Sequence, residues 1–149
     1  MERYLRREAY FGRNLRAYDD DIVVIEWSFE RSDGRLFAVL RDGGEAPKVW
    51  TDVSLEKRLS LFVSLLRLHQ KAGILHGDIA PRNCVLAPPS PGPSLGPARW
   101  IDLSKATADH KCRDRGCTEL KWAAVEMGLV AAEEAGDIAA IASSEGLTW

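Results

Sequence analysis

The longest regular pattern in the chain lies between residues 54 and 71. There Leu55, Leu59, Phe62, Val63, Leu66 and His69 recur at helical spacing. Asp52 or Ser54 can cap the start of this helix by accepting from its first unpaired N–H groups, and Gly73 stops it. Upstream the period changes. Ile22 to Phe29 is rich in β-branched and aromatic residues and predicts a strand; Ser32-Asp33-Gly34 predicts a turn, and Arg35 to Leu40 a second strand, so a hairpin is expected. Before it, Tyr4, Leu5, Ala9, Phe11 and Leu15 among many charges predict a partly buried helix, broken by Asp19-Asp20-Asp21. After it, Asp42-Gly43-Gly44 is a flexible joint.

Downstream of the long helix, Cys84-Val85-Leu86 and Arg99-Trp100-Ile101 are short apolar runs. They flank a Pro/Gly/Ser-rich segment, Pro88 to Pro97, which cannot be helix or sheet interior. Two strands joined by an exposed, expanded turn are expected. Thr118 to Ala135 predicts a helix capped by Thr118; Gly136-Asp137 interrupts it, and a shorter helix closes the chain. There is no internal repeat. The mixture of periods places the chain in the α+β class.

Composition narrows the setting. The chain has 149 residues, 46% hydrophobic and 28% charged, which suits one domain with a core of its own. A net charge of -2, with Lys and Arg scattered among Asp and Glu, argues against a nucleic-acid-binding face. The charged start, Met1 to Glu8, lacks the apolar run of a secretory signal, and no stretch reaches the roughly 18 apolar residues of a membrane span. Three cysteines, Cys84, Cys112 and Cys117, suit reduced thiols better than a disulfide framework. The expectation is an intracellular protein, cytoplasmic or nuclear, with no membrane and no nucleic-acid partner.

Three oxygen-bearing side chains stand out by position. Asp78 lies in the loop after the long helix, Asn83 five residues later where a strand begins, and Asp102 at the end of the next strand. If the two strands pair, Asn83 and Asp102 converge, with Asp78 beside them. Carboxylate and amide oxygens gathered this way suit Mg²⁺, which keeps much of its shell for water and phosphate oxygens. A carboxylate nearby can take a proton from an attacking hydroxyl.

The string His76-Gly77-Asp78-Ile79-Ala80-Pro81-Arg82-Asn83 resembles the catalytic loop of the protein-kinase-like superfamily, and Ile101-Asp102-Leu103-Ser104 resembles its metal-binding motif, with Leu-Ser where Phe-Gly is usual. The helix ending Leu68 to Ile74 is similar to the one that feeds the kinase catalytic loop, and the hairpin with its Gly-rich joint resembles the last small-lobe strands and hinge. The resemblance spans roughly residues 20 to 105 and is specific over 68 to 104.

It implies a kinase-like domain over residues 1–149: a partial small lobe and hinge at 1–45 (β-hairpin and helix), and a reduced, mainly helical large lobe at 46–149. It implies ATP and Mg²⁺ as cofactors. Asp78 and Asn83 would be the catalytic pair, with Asn83 and Asp102 holding metal and nucleotide. The acceptor would be a hydroxyl on a protein or small molecule. The alternative is a pseudokinase that keeps the site as a nucleotide- or protein-binding module.

The departures are as informative. Gly77 stands where most protein kinases carry the Arg that receives an activation-loop phosphate, a glycine also seen in small-molecule kinases. Ala80 stands where serine/threonine kinases carry a Lys; Ala80-Pro81-Arg82-Asn83 is closer to the tyrosine-kinase version. No Gly-rich phosphate loop and no strand Lys in a Val-Ala-x-Lys context is found, no Ala-Pro-Glu motif follows, and Glu8 is read as a solvated helix residue. A minimal kinase-like protein, or a chain that has lost its ends, is expected.

His110, Cys112 and Cys117 form a His-x-Cys-x4-Cys cluster, three donors where a structural zinc site takes four, so packing cysteines are expected. Cys84 and the tryptophans Trp27, Trp50, Trp100 and Trp122 are assigned to packing, His69 to a structural role, and His76 to holding the loop by hydrogen bonds.

Overall fold

The computed structural model describes residues 6–7, 10–11, 14–18, 22–23, 25–40, 44–87, 98–112, 116–134 and 136–149. The acidic run at 19–21, Glu8, Asp42-Gly43 and the Pro88–Pro97 segment lie outside them, as does the side chain of Trp27.

The central element is α1, Leu55–Gln70, started by Ser54, whose hydroxyl accepts from the Lys57 N–H at 3.3 Å. Its sequence pattern predicts one apolar face, but burial goes further. Leu61, Phe62, Leu65, Leu66 and Leu68 are all fully buried, so the second half of the helix is covered on nearly every side. Solvent meets mainly its first half, where Leu55 and Ser60 are exposed. Fully burying a Leu or Phe side chain contributes about 1.5–3 kcal/mol, so this helix organises the core.

Two antiparallel hairpins accompany it, giving an α+β architecture. In the first, β1 (Ile25–Glu30) pairs with β2 (Leu36–Leu40) around the expected turn, where Asp33 accepts from the Arg35 N–H. Phe29 and Phe37 stack on its exposed face with ring centroids 5.1 Å apart. Ile22, expected inside the first strand, instead bridges Trp100 in parallel and is fully buried. In the second hairpin, β3 (Cys84–Leu86) pairs with β4 (Ala98–Trp100), Cys84 opposite Trp100. Trp100 is fully buried, edge-on to Trp50 at 6.2 Å, and its indole N–H donates to the Leu61 carbonyl at 2.9 Å. That bond fixes the hairpin against α1.

Among the described residues the chain finishes in three helices rather than the two expected: α2 (Thr118–Glu126), α3 (Val130–Glu134) and α4 (Asp137–Ser144). Gly128, at φ +64, makes the extra break by adopting the left-handed backbone that ends a helix. Cys117, not Thr118, occupies the cap position of α2, without a side-chain cap bond. Gly136 separates α3 from α4 as expected. Near the start of the chain, Phe11 and Leu15 are buried, as their pattern predicts. No helix among the described residues is long and apolar enough to cross a membrane.

Candidate active site

The loop from His76 to Asn83 runs from α1 to β3, and Asp102 follows β4. The hairpin pairing brings the three predicted residues together. Asn83 is buried, in a single 3-10 turn begun by Pro81. Its side-chain amide donates to the main-chain oxygen of Asp78 at 2.8 Å, and its own main-chain oxygen accepts from the Ile101 N–H at 2.9 Å. Asn83 therefore ties the loop on one side to the strand end carrying Asp102 on the other.

His76 makes a parallel tie. Its Nε2 lies 3.0 Å from the Ile101 carbonyl, so Nε2–H donates and the ring braces the same strand. Burial pushes its pKa below the ordinary histidine value, against the opposing pull of Glu119 and other neighbours, and keeps it neutral. This is the loop-holding role expected of it.

Asp102 has φ 60 and ψ 70, a left-handed backbone that non-glycine residues rarely adopt. Its Oδ1 accepts from the Ser104 N–H at 3.2 Å, a local turn that steadies the conformation. Leu103, next to it, is buried. Among the described residues the side-chain oxygen of Asn83 and the second carboxylate oxygen of Asp102 accept no hydrogen bond. Each side chain therefore keeps one hard oxygen of the kind Mg²⁺ takes.

Asp78 is engaged by two cations. Arg82 lies 3.0 Å from both carboxylate oxygens, and Lys105 is 2.9 Å from Oδ2. Burial by itself raises the Asp78 carboxyl, but hydrogen bonds from Lys105, Asn83 and Arg82 outweigh it and hold the pKa below the usual value. The sequence pattern did not point to Lys105, which reaches the site only because the turn after Asp102 folds back over the loop. It brings a second cation to Asp78, beside Arg82.

Glu119, on the first turn of α2, was missed as well. One oxygen accepts from the Gly77 N–H at 2.6 Å; the other accepts from the His76 N–H at 3.0 Å and from the His69 ring at 2.6 Å. Burial raises its carboxyl, yet the bonds from His69 and the two loop amides more than offset this, so its pKa falls and it stays ionised. A residue 42 positions beyond Gly77 thus fixes the loop backbone. A single acidic residue on a helix carries no local signal of this.

Gly77 is a structural requirement. Its φ is +82, and a Cβ there would stand 2.5 Å from the Lys105 carbonyl oxygen. Any side chain at this position would meet the Lys105 backbone, so the loop's shape calls for glycine. Gly34 has nearly the same φ, +81, with nothing within 4 Å of an added Cβ, and so isolates the conformational cost. Gly34→Ala is expected to cost about 1 kcal/mol, and Gly77→Ala about 1–3 kcal/mol more through overpacking. Urea midpoints of the two variants measure the difference; equal losses would mean the loop relaxes freely.

Beside Asp78 lies a groove of about 670 Å³, reached by Lys105, Lys111 and Trp122. Trp122, expected to serve core or hinge packing, is 58% exposed and lines this groove. Cys84 is fully buried, and burial pushes its thiol up to about 12, so it packs and does not react. Neither the models of known families nor the curated proteins give a match to this chain.

Proposed function

We propose that the chain is a protein-kinase-like phosphotransferase that passes the γ-phosphoryl group of ATP to a hydroxyl acceptor. The observation that carries this reading is the double tie through Asn83, which links the Asp78 backbone to the strand ending in the left-handed Asp102. Asn83 and Asp102 would hold Mg²⁺, which supplies charge neutralisation on the phosphates. Asp78 would orient the acceptor hydroxyl and take its proton. Lys105 and Arg82, already paired with Asp78, would add positive charge where the transferred group becomes most negative. The groove beside Asp78, with the exposed Trp122 on its wall, would seat the acceptor.

One observation favours the alternative of a binding module with little turnover. Both Asp78 oxygens are occupied by cations, which lowers basicity and makes proton abstraction harder.

Nucleotide binding is expected to need Mg²⁺ and the Asp102 carboxylate. Asp102→Asn is the suitable variant, because Asn tolerates the left-handed backbone and keeps an oxygen for the Ser104 N–H. ATP with added Mg²⁺ should raise the wild-type Tm more than ATP alone, and the Mg²⁺-dependent part should vanish in the variant. Equal shifts in the two proteins would remove Asp102 from the metal site.

A further inference from the structure

The groove wall contains a second constellation that the proposed phosphoryl transfer does not use. His69, from the last turn of α1, meets His110, Cys112 and Cys117, and one ligating atom from each of the four lies within 4.8 Å of all the others. His69 is 1% exposed and Cys117 6%, with His110 and Cys112 half-buried. From sequence this cluster has three donors. The fold supplies the fourth, 41 residues upstream of His110.

We propose that these four residues form a closed, structural Zn²⁺ site. Zinc takes nitrogen at about 2.0 Å and thiolate sulfur at about 2.3 Å in a tetrahedron, which sets N and S about 3.5 Å apart. Cys117 Sγ is 3.5 Å from His69 Nδ1 and 3.6 Å from His110 Nε2, and Cys112 Sγ is 3.9 Å from His69 Nδ1. Two thiolates and two neutral imidazoles give a neutral centre with Zn²⁺, suited to a buried position, and tetrahedral S2N2 is the geometry zinc favours.

A second, independent feature points the same way. The Glu119 carboxylate can only accept, so its 2.6 Å contact with His69 Nε2 puts the proton on that nitrogen. The lone pair then sits on Nδ1, the atom that faces the two sulfurs. A carboxylate fixing a histidine tautomer from behind is the usual support of a metal-bound imidazole. Because the same carboxylate holds the His76 and Gly77 amides, the zinc site and the Asp78 loop share one anchor.

The site does not depend on the phosphotransfer reading, and its test needs no activity. The full chain, purified under reducing conditions, should carry one zinc per chain by elemental analysis. Titration of the metal-free chain with Co²⁺ should give tetrahedral d–d bands and a thiolate charge-transfer band. Cys112→Ser and Cys117→Ser should lose both, whereas Cys84→Ala should keep them. Glu119→Gln puts a neutral amide behind His69 Nε2, which either accepts more weakly than the carboxylate or donates and moves the proton to Nδ1, so its Co²⁺ affinity should fall by about 10–100-fold. If a serine variant does not fold, the wild-type charge-transfer band still decides whether thiolate binds metal. A wild type with neither zinc nor a Co²⁺ spectrum would overturn the proposal, as would bands that survive in Cys112→Ser or Cys117→Ser or disappear in Cys84→Ala. Unchanged Co²⁺ affinity in Glu119→Gln would remove Glu119 from its support.

Discussion

Asp78→Asn is expected to slow phosphoryl transfer by about 10²–10⁴-fold, the usual cost of losing a general base, while ATP binds with an unchanged Kd. The substitution is well isolated. Asn83 donates to the main-chain oxygen of Asp78, a bond that the substitution leaves in place, so the tie to Ile101 and Asp102 survives. The new amide still offers an oxygen to Arg82 or Lys105, but it cannot take a proton. Single-turnover phosphotransfer and equilibrium ATP binding on the two proteins measure the two quantities separately. Equal rates would take Asp78 out of the chemistry. ATP binding with no turnover in either protein would favour the binding module.

The same assay across pH carries a signed expectation. On the proposed phosphotransfer reading the ionised form of Asp78 would be the working one, and its folded pKa lies below the ordinary value. Lowering the pH from about 8 to about 5 should therefore produce no acid limb from this group. Its stabilising contribution is present above the unfolded carboxylate value and is lost only as pH falls through the lowered folded one.

Trp100→Ala should cost about 3–5 kcal/mol, the range for truncating a large buried aromatic residue. Against a total stability of about 5–15 kcal/mol, this removes a large share and lowers Tm on the order of 10–20 °C. The reason lies in how many elements meet on that side chain. It packs edge-on against Trp50, sits 5.2 Å from the His76 ring, and bonds α1 through Leu61. Trp100→Phe keeps most of the apolar area and loses the N–H, so its cost should be the smaller. Chemical unfolding of the three proteins gives the ranking. A loss below about 1 kcal/mol for the alanine variant would mean that the second hairpin is not held to α1 by this residue.

Local chemistry made much of the architecture legible. Ser54 and the spacing from Leu55 to His69 announce α1 within a residue at either end, and the hairpin turn at Asp33-Gly34 is written in its own residues. The failures share a physical cause, which is distance along the chain. Ile22 has the composition of a strand, yet its partner, Trp100, lies 78 residues away, and no pattern around Ile22 could reveal it. Trp122 has the composition of a core residue but falls on the outer side of α2. Gly128 could have been read as a helix break, since glycine weakens a helix interior.

The candidate site divides in the same way. Asp78, Asn83 and Asp102 lie in two short strings whose order and spacing are informative, and the second hairpin brings them together. Lys105, Glu119 and His69 reach the region through tertiary packing, and each looks like an ordinary helix or turn residue in sequence. The His-x-Cys-x4-Cys string was visible with one donor too few. Its complement is a histidine that helical spacing had assigned to the core.

The clasp made by Glu119 has a consequence for the order in which the protein is built. As a chain leaves the ribosome, the loop from His76 to Asn83 emerges well before residue 119, and contacts this far apart in sequence form late. Until then the His76 and Gly77 amides lack the acceptor that they have in the folded protein. The nascent polypeptide can form α1 and its first hairpin early, but the finished loop from His76 to Asn83 has to wait for α2 to dock. Assembly of the site and completion of the fold are then one event during synthesis.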